Sequence, residues 1–131
     1  MSMRSKPGKN TLLLTISLLL ICALAAMIEW QFHILQSAYD EFVMDNRNHY
    51  LSCEDLPSRT EAERIVEGHK DVIQRIEQVA PESVGVEIDS LTCEGKADLI
   101  IWYGTHEQRI VIEEILGNDT FFGIPYRLRN R

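Results

Sequence analysis

Four histidines (His33, His49, His69, His106) and three cysteines (Cys22, Cys53, Cys93) are the side chains best suited to hold a metal or to pair a nucleophile with a base. Zinc sites use short spacings such as C-x-x-C or H-E-x-x-H, because adjacent turns of backbone must aim two ligands at one ion. No pair has that spacing; His49 and Cys53 come nearest. A catalytic cysteine needs a free thiol beside a base, whereas Cys53 and Cys93, outside the apolar run that holds Cys22, are most simply a disulfide. Closing that loop is worth about 4 kcal/mol in the chain-entropy model. Glu113-Glu114 and Glu61 with Glu63 read as exposed helix charges, and no glycine-rich phosphate loop, serine elbow or paired-carboxylate motif is present. The residues predict no catalytic site, no metal and no cofactor, and hence a non-enzymatic protein.

The run from Thr11 to Ile28 carries no charge and follows Arg4, Lys6 and Lys9. As a helix rising about 1.5 Å per residue it spans roughly 27 Å, close to the apolar thickness of a bilayer. Trp30 and Phe32 follow where aromatic side chains settle at headgroup level. The competing reading is a signal peptide cleaved near Ala25, after Ala23-Leu24-Ala25, which would release a secreted inhibitor or ligand domain. Of the 13 Lys and Arg, three precede the run, while all 20 Asp and Glu follow it, leaving that part a net charge of −10. Basic flanks stay inside, so the expectation is a cell-membrane protein: a cytoplasmic basic segment (1–10), a transmembrane helix in lipid (11–28), a stalk helix (29–46) and an extracytoplasmic domain (48–131). An acidic exterior disfavours nucleic acid and anionic lipid surfaces as partners.

No Gly or Pro interrupts the chain between Lys9 and Leu56, and Ile28, Phe32, Leu35, Tyr39 and Phe42 recur at spacings of a heptad seam. The seam predicts either self-association through the stalk or an amphipathic helix folded onto the domain's own core. An apolar helix running into an amphipathic one resembles the type IV pilins, which implies a pilus-like assembly subunit. The processing signature departs from that family, since Lys9 and Asn10 follow Gly8 and Leu13 stands where those proteins carry glutamate.

In the outer part, Thr60 with Glu63, or Ser58 with Glu61, makes a capping box that opens a helix. Ala62, Ile65, Val66, His69, Val72, Ile73, Ile76 and Val79 form its apolar face, with His69 at the boundary of the core, and Pro81 ends it. Ser83–Ser90 alternates as a strand, and Ala97–Tyr103 is apolar on both sides like a central one. Over 106–116, Ile110-Val111-Ile112 suits a strand, but the Thr105/Gln108 capping box and Gly117 favour a helix. Phe122, Ile124, Tyr126 and Leu128 alternate as a last strand, which Pro125 assigns to a sheet edge. With a short strand over His49–Ser52 the order is β-α-β-β-α-β, an α+β, ferredoxin-like arrangement. The alternative is a helix on a three-stranded antiparallel meander. The pattern also resembles heavy-metal-associated domains, whose C-x-x-C loop is missing here.

If Leu99, Ile101 and Tyr103 face the core, Ile100 and Trp102 face out, together with Phe121 and Arg127. Exposed aromatics beside arginine are characteristic of interface centres, so this face and the stalk seam are the expected contacts for an unknown protein partner. Arg127, Arg129 and Arg131 share one side of the last strand, and Asn118-Asp119-Thr120 fits the N-glycosylation pattern.

Overall fold

A computed structural model describes residues 8–131. Arg4 and Lys6 of the basic segment lie outside these residues. The chain divides after Gln36 into two compact units.

The first unit is dominated by helix α1, Lys9–Phe32, which is apolar on all sides, has no buried residue and is long enough to cross a membrane. It does not run on into the stalk. His33 adopts a left-handed backbone (φ 48°) and ends α1, and a left-handed residue cannot continue a right-handed helix. A second helix, α2, spans Ile34–Phe42. Its first amides are capped from behind: the Glu29 carboxylate accepts hydrogen bonds from Leu35 N–H (2.8 Å) and Gln36 N–H (3.1 Å). The acid thus sits at the positive end of α2's dipole. The expected seam is therefore broken between Phe32 and Leu35.

The second unit is a mixed α+β fold with the disulfide Cys53–Cys93, whose Cα atoms are 5.5 Å apart. After a single 3-10 turn (Cys53–Asp55), helices α3 (Arg59–Gly68) and α4 (Lys70–Glu77) precede strands β1 (Gly85–Asp89) and β2 (Asp98–Tyr103). Helix α5 (His106–Leu116) leads to β3 (Thr120–Phe121) and β4 (Ile124–Asn130). The cap of α3 is Ser58, whose hydroxyl accepts from Glu61 N–H, while Glu63 pairs with Arg59 at 2.7 Å. The single helix read through to Val79 is in fact two, parted at His69, whose Nδ1 donates to Ile65 C=O at 2.8 Å. Gly68 marks no close approach, since a Cβ there would meet nothing within 4 Å. Residues 106–116 are helix, opened by Thr105 and closed by Gly117 at φ 66°, which removes the meander alternative.

The sheet order is β1-β2-β4-β3, with β4 parallel to β2 and antiparallel to β3. This is not the ferredoxin-like topology, because β4 occupies the place beside β2 that a strand over His49–Ser52 would need. That stretch cannot extend: Tyr50 is left-handed (φ 52°), and Leu51 N–H turns back onto His49 Nδ1 at 3.0 Å. Just before it, Arg47 makes a two-way backbone bridge to Leu128. Nor is the proline strand at an edge. The β2 ladder starts at Tyr126, one residue past Pro125, so the missing N–H costs it no bond.

Alternation along β2 and β4 sends Leu99, Ile101, Tyr103, Ile124, Tyr126 and Leu128 into one core with Ala62, Ile76, Ile112 and Phe121. Each large side chain so buried is worth about 1.5–3 kcal/mol. The opposite sheet face carries Glu87 and Asp89 from β1, Asp98, Ile100 and Trp102 from β2, and Arg127 and Arg129 from β4, opposed in register.

Candidate functional site

Segment 46–53 leaves the Arg47–Leu128 bridge, crosses this outer face and ends at the disulfide. Beneath it lies a chain of charges. Arg127 donates to both oxygens of Asp98 at 2.6 and 2.8 Å and also pairs with Asp89, and His49 Nε2 meets the same Asp98 at 2.7 Å. Because His49 Nδ1 accepts from Leu51 N–H, its proton sits on Nε2 and is donated to Asp98. Both ring nitrogens are engaged, so the His–Asp pair has no free base to offer a substrate. Burial pushes the Asp98 carboxyl up, but hydrogen bonds from His49 and Arg127 outweigh it and hold the group below the usual carboxylate range. Asp89, under the same opposition of burial against Thr92, Arg127 and backbone N–H groups, is likewise held low.

A second cluster is centred on Arg109. This residue stands one turn before Ile112, on the buried side of α5, and only 5 % of its side chain is exposed. It donates to Asp45 (2.9 Å), Glu41 (3.1 Å) and Glu113 (3.2 Å), and His106 adds a contact to Asp45 at 2.8 Å. Desolvation lowers the Arg109 pKa, yet the Asp45 hydrogen bond and the Glu113 charge raise it on balance. Nearby, the Tyr103 hydroxyl is fully buried and lacks a hydrogen-bond partner among the described residues; burial, then the Asp45 charge, pushes its pKa to about 12.

These carboxylates fasten residues 37–46, which include most of α2, within the second unit. Asp40 accepts from the Tyr50 hydroxyl at 2.6 Å, Glu41 and Asp45 hold Arg109, and the Asn46 side chain accepts from Asn130 N–H at 2.8 Å. At 100° per residue, Ser37, Asp40 and Glu41 share one side of α2, while Ile34, Leu35, Ala38, Tyr39 and Phe42 share the other. The polar side is turned to the protein. The apolar side is open, Phe42 being 86 % exposed, with Val43 exposed beside it.

The expected site residues thus separate. Cys53 and Cys93 are joined. Leu35, Tyr39 and Phe42 share the open side of α2, whereas Ile28 and Phe32 lie on α1, before the break. Phe121 does not face out: it is 2 % exposed, in the core, with its ring 5.0 Å edge-on from Phe122. Arg127 does face out, but its guanidinium is paired with Asp89 and Asp98 of the same sheet. Ile100 and Trp102 are half-buried on the outer face, with the Arg131 guanidinium over the Trp102 ring at 4.7 Å and Trp102 Nε1–H donating to Glu87 at 3.4 Å. His69 stacks on Phe122 at 3.6 Å, above a recess of about 250 Å³ lined by Val72, Arg75 and Ile115, below the usual range for ligand pockets. Among the described residues no group of three His, Cys, Asp or Glu is placed to hold a metal.

Sequence reasoning missed Arg109, Asp45 and Asp98. Two signals were available: an arginine on the buried side of a helix, and an aspartate in register with apolar strand positions. Compared with known proteins, the chain matches no family model, no curated protein and no solved structure.

Proposed function

We propose that this chain is a single-pass, membrane-anchored, non-enzymatic binding module, with its N-terminus cytoplasmic and its α+β unit displayed outside to meet a protein partner. One observation carries the reading. The charged groups able to do acid–base chemistry neutralise one another around Arg127 and Arg109 and hold the fold together, while an aromatic–arginine pair, Trp102 with Arg131, stays at the surface. Buried, fully paired charges support shape rather than turnover, and Trp and Arg are the side chains that most often dominate binding energy. The disulfide supports an oxidising compartment, and α1 is long and apolar enough for an anchor. The partner surface in this reading is Ile100, Trp102 and Arg131.

The test places a photo-crosslinking amino acid at Ile100 or, as control, at Glu61 on the exposed side of α3, in native membranes. A discrete adduct from position 100 alone supports the reading. Equal adducts from both positions, or none from either, would sink it. Intact mass of the extracted protein decides the anchor: full length supports it, and a start near Ala26 would make the protein a secreted domain.

A further inference from the structure

We infer that α2 is a membrane-interfacial helix, its apolar side seated among zwitterionic lipid headgroups and upper acyl chains. The inference rests on α1 being an anchor, as proposed above.

The first argument is the inversion of α2. A helix on a globular protein buries its apolar stripe, but α2 half-buries Ser37 and Asp40, reaches Arg109 with the exposed Glu41, and leaves Ile34, Leu35, Tyr39 and Phe42 uncovered. The second is position. α2 begins one residue after α1 ends. If the apolar core of the bilayer reaches Ile28, the last turn of α1 rises about 6 Å, which brings His33 to headgroup level. There the left-handed residue releases the chain from the axis of α1. Trp30, 86 % exposed, and Phe32 mark the same level. The third is the break itself, which leaves an open, mostly apolar groove of about 600 Å³ lined by Ala26, Glu29, Trp30, His33 and Gln36, continuous with the surface that lipid would already cover.

Charge selects the lipid class. α2 carries no Lys or Arg, so nothing on it would attract anionic headgroups. Its own acids are directed away, Asp40 to Tyr50 and Glu41 to Arg109. A second copy of α2 suits the surface less well, because nine residues offer little over one heptad and the longer seam is interrupted at His33.

The full chain is reconstituted in phosphatidylcholine vesicles whose acyl chains carry bromine near the headgroup end. One variant, Trp102→Phe, leaves Trp30 as the reporter. A second, Trp30→Phe with Trp102→Phe and Phe42→Trp, reports from α2; position 42 is exposed, so the change perturbs no core. Loss of emission from the position-42 probe equal to that from Trp30 is the expected result. If Trp30 is quenched and the position-42 probe is not, α2 is not seated in lipid, although the anchor stands; a blue-shifted, unquenched probe would assign the face to a second copy or another protein. If neither is quenched, the anchor reading fails and this inference with it.

Discussion

Helices α4 and α2 are nearly the same length, eight and nine residues, and both are strongly two-sided, yet they bury opposite sides. α4 presses Val72, Ile73 and Ile76 into the core and leaves Lys70, Asp71 and Gln74 in water. α2 fastens its carboxylates to Tyr50 and Arg109 and leaves its apolar residues uncovered. The period of apolar residues identifies a surface but not what covers it. For α4 the cover is the sheet and α5; the apolar residues of α2 are left exposed by the rest of the chain.

The comparison can be broken most severely at Ile76, which is 0 % exposed. Ile76→Ala should cost about 2–5 kcal/mol, through lost transfer energy and the cavity left behind, read as a lower denaturation midpoint of the full chain in micelles. Next comes Arg109→Leu. Removing the guanidinium strands Asp45 and Glu41, and because both retain some water the cost should be about 1–3 kcal/mol. Amide exchange should accelerate over 37–46 while the α4 amides hold; equal acceleration in both would show that α2 is not a separately fastened element.

Acid should act on the charged face of the sheet. Asp89 and Asp98 have folded-state pKa values below the ordinary range, so the folded state binds their protons less readily than the unfolded chain. Their contribution is present above the unfolded value of about 3.9 and is lost as pH falls through the depressed values. The unfolding midpoint should drop below about pH 4, and Asp98→Asn should flatten that slope. In alkali the sign reverses: Tyr50, raised to about 12 by burial and then by Asp40, contributes below the ordinary value of about 10 and is lost as pH rises toward 12. The smallest effect is expected at Phe42. Phe42→Ala should change the midpoint in micelles by no more than about 0.5 kcal/mol, as for surface positions that pack on nothing else in the protein. A loss as large as that of Ile76→Ala would mean that the unit itself covers this side.

Much of the fold was legible because it depends on local rules. The helix at 106–116 followed from Thr105 and Gly117, since caps satisfy the terminal amides and carbonyls whatever lies around them. The inward residues of β2 followed from strict alternation, and the disulfide from two cysteines outside the apolar run. The helix break at His33 was not legible, because no proline or glycine marks it and it depends on a side-chain bond, Glu29 capping α2. The break at His69 directly follows Gly68, a weak helix former whose presence alone does not end a helix without the bond from His69 to Ile65.

The length and apolarity of α1, the periods of the later helices and strands, and the acidity of the chain beyond α1 were determined by residue order alone, because each is a property of neighbours along the chain. Four things were decided only in three dimensions: the partner of β2, the interior place of a proline strand, the loss of Phe121 to the core and the inward turn of α2's polar side. Each depends on which distant groups meet. A parallel β2–β4 pair excludes the strand expected over 49–52, and Arg109 can hold Glu41 and Asp45 only because α5 brings it to them across more than 60 positions of sequence.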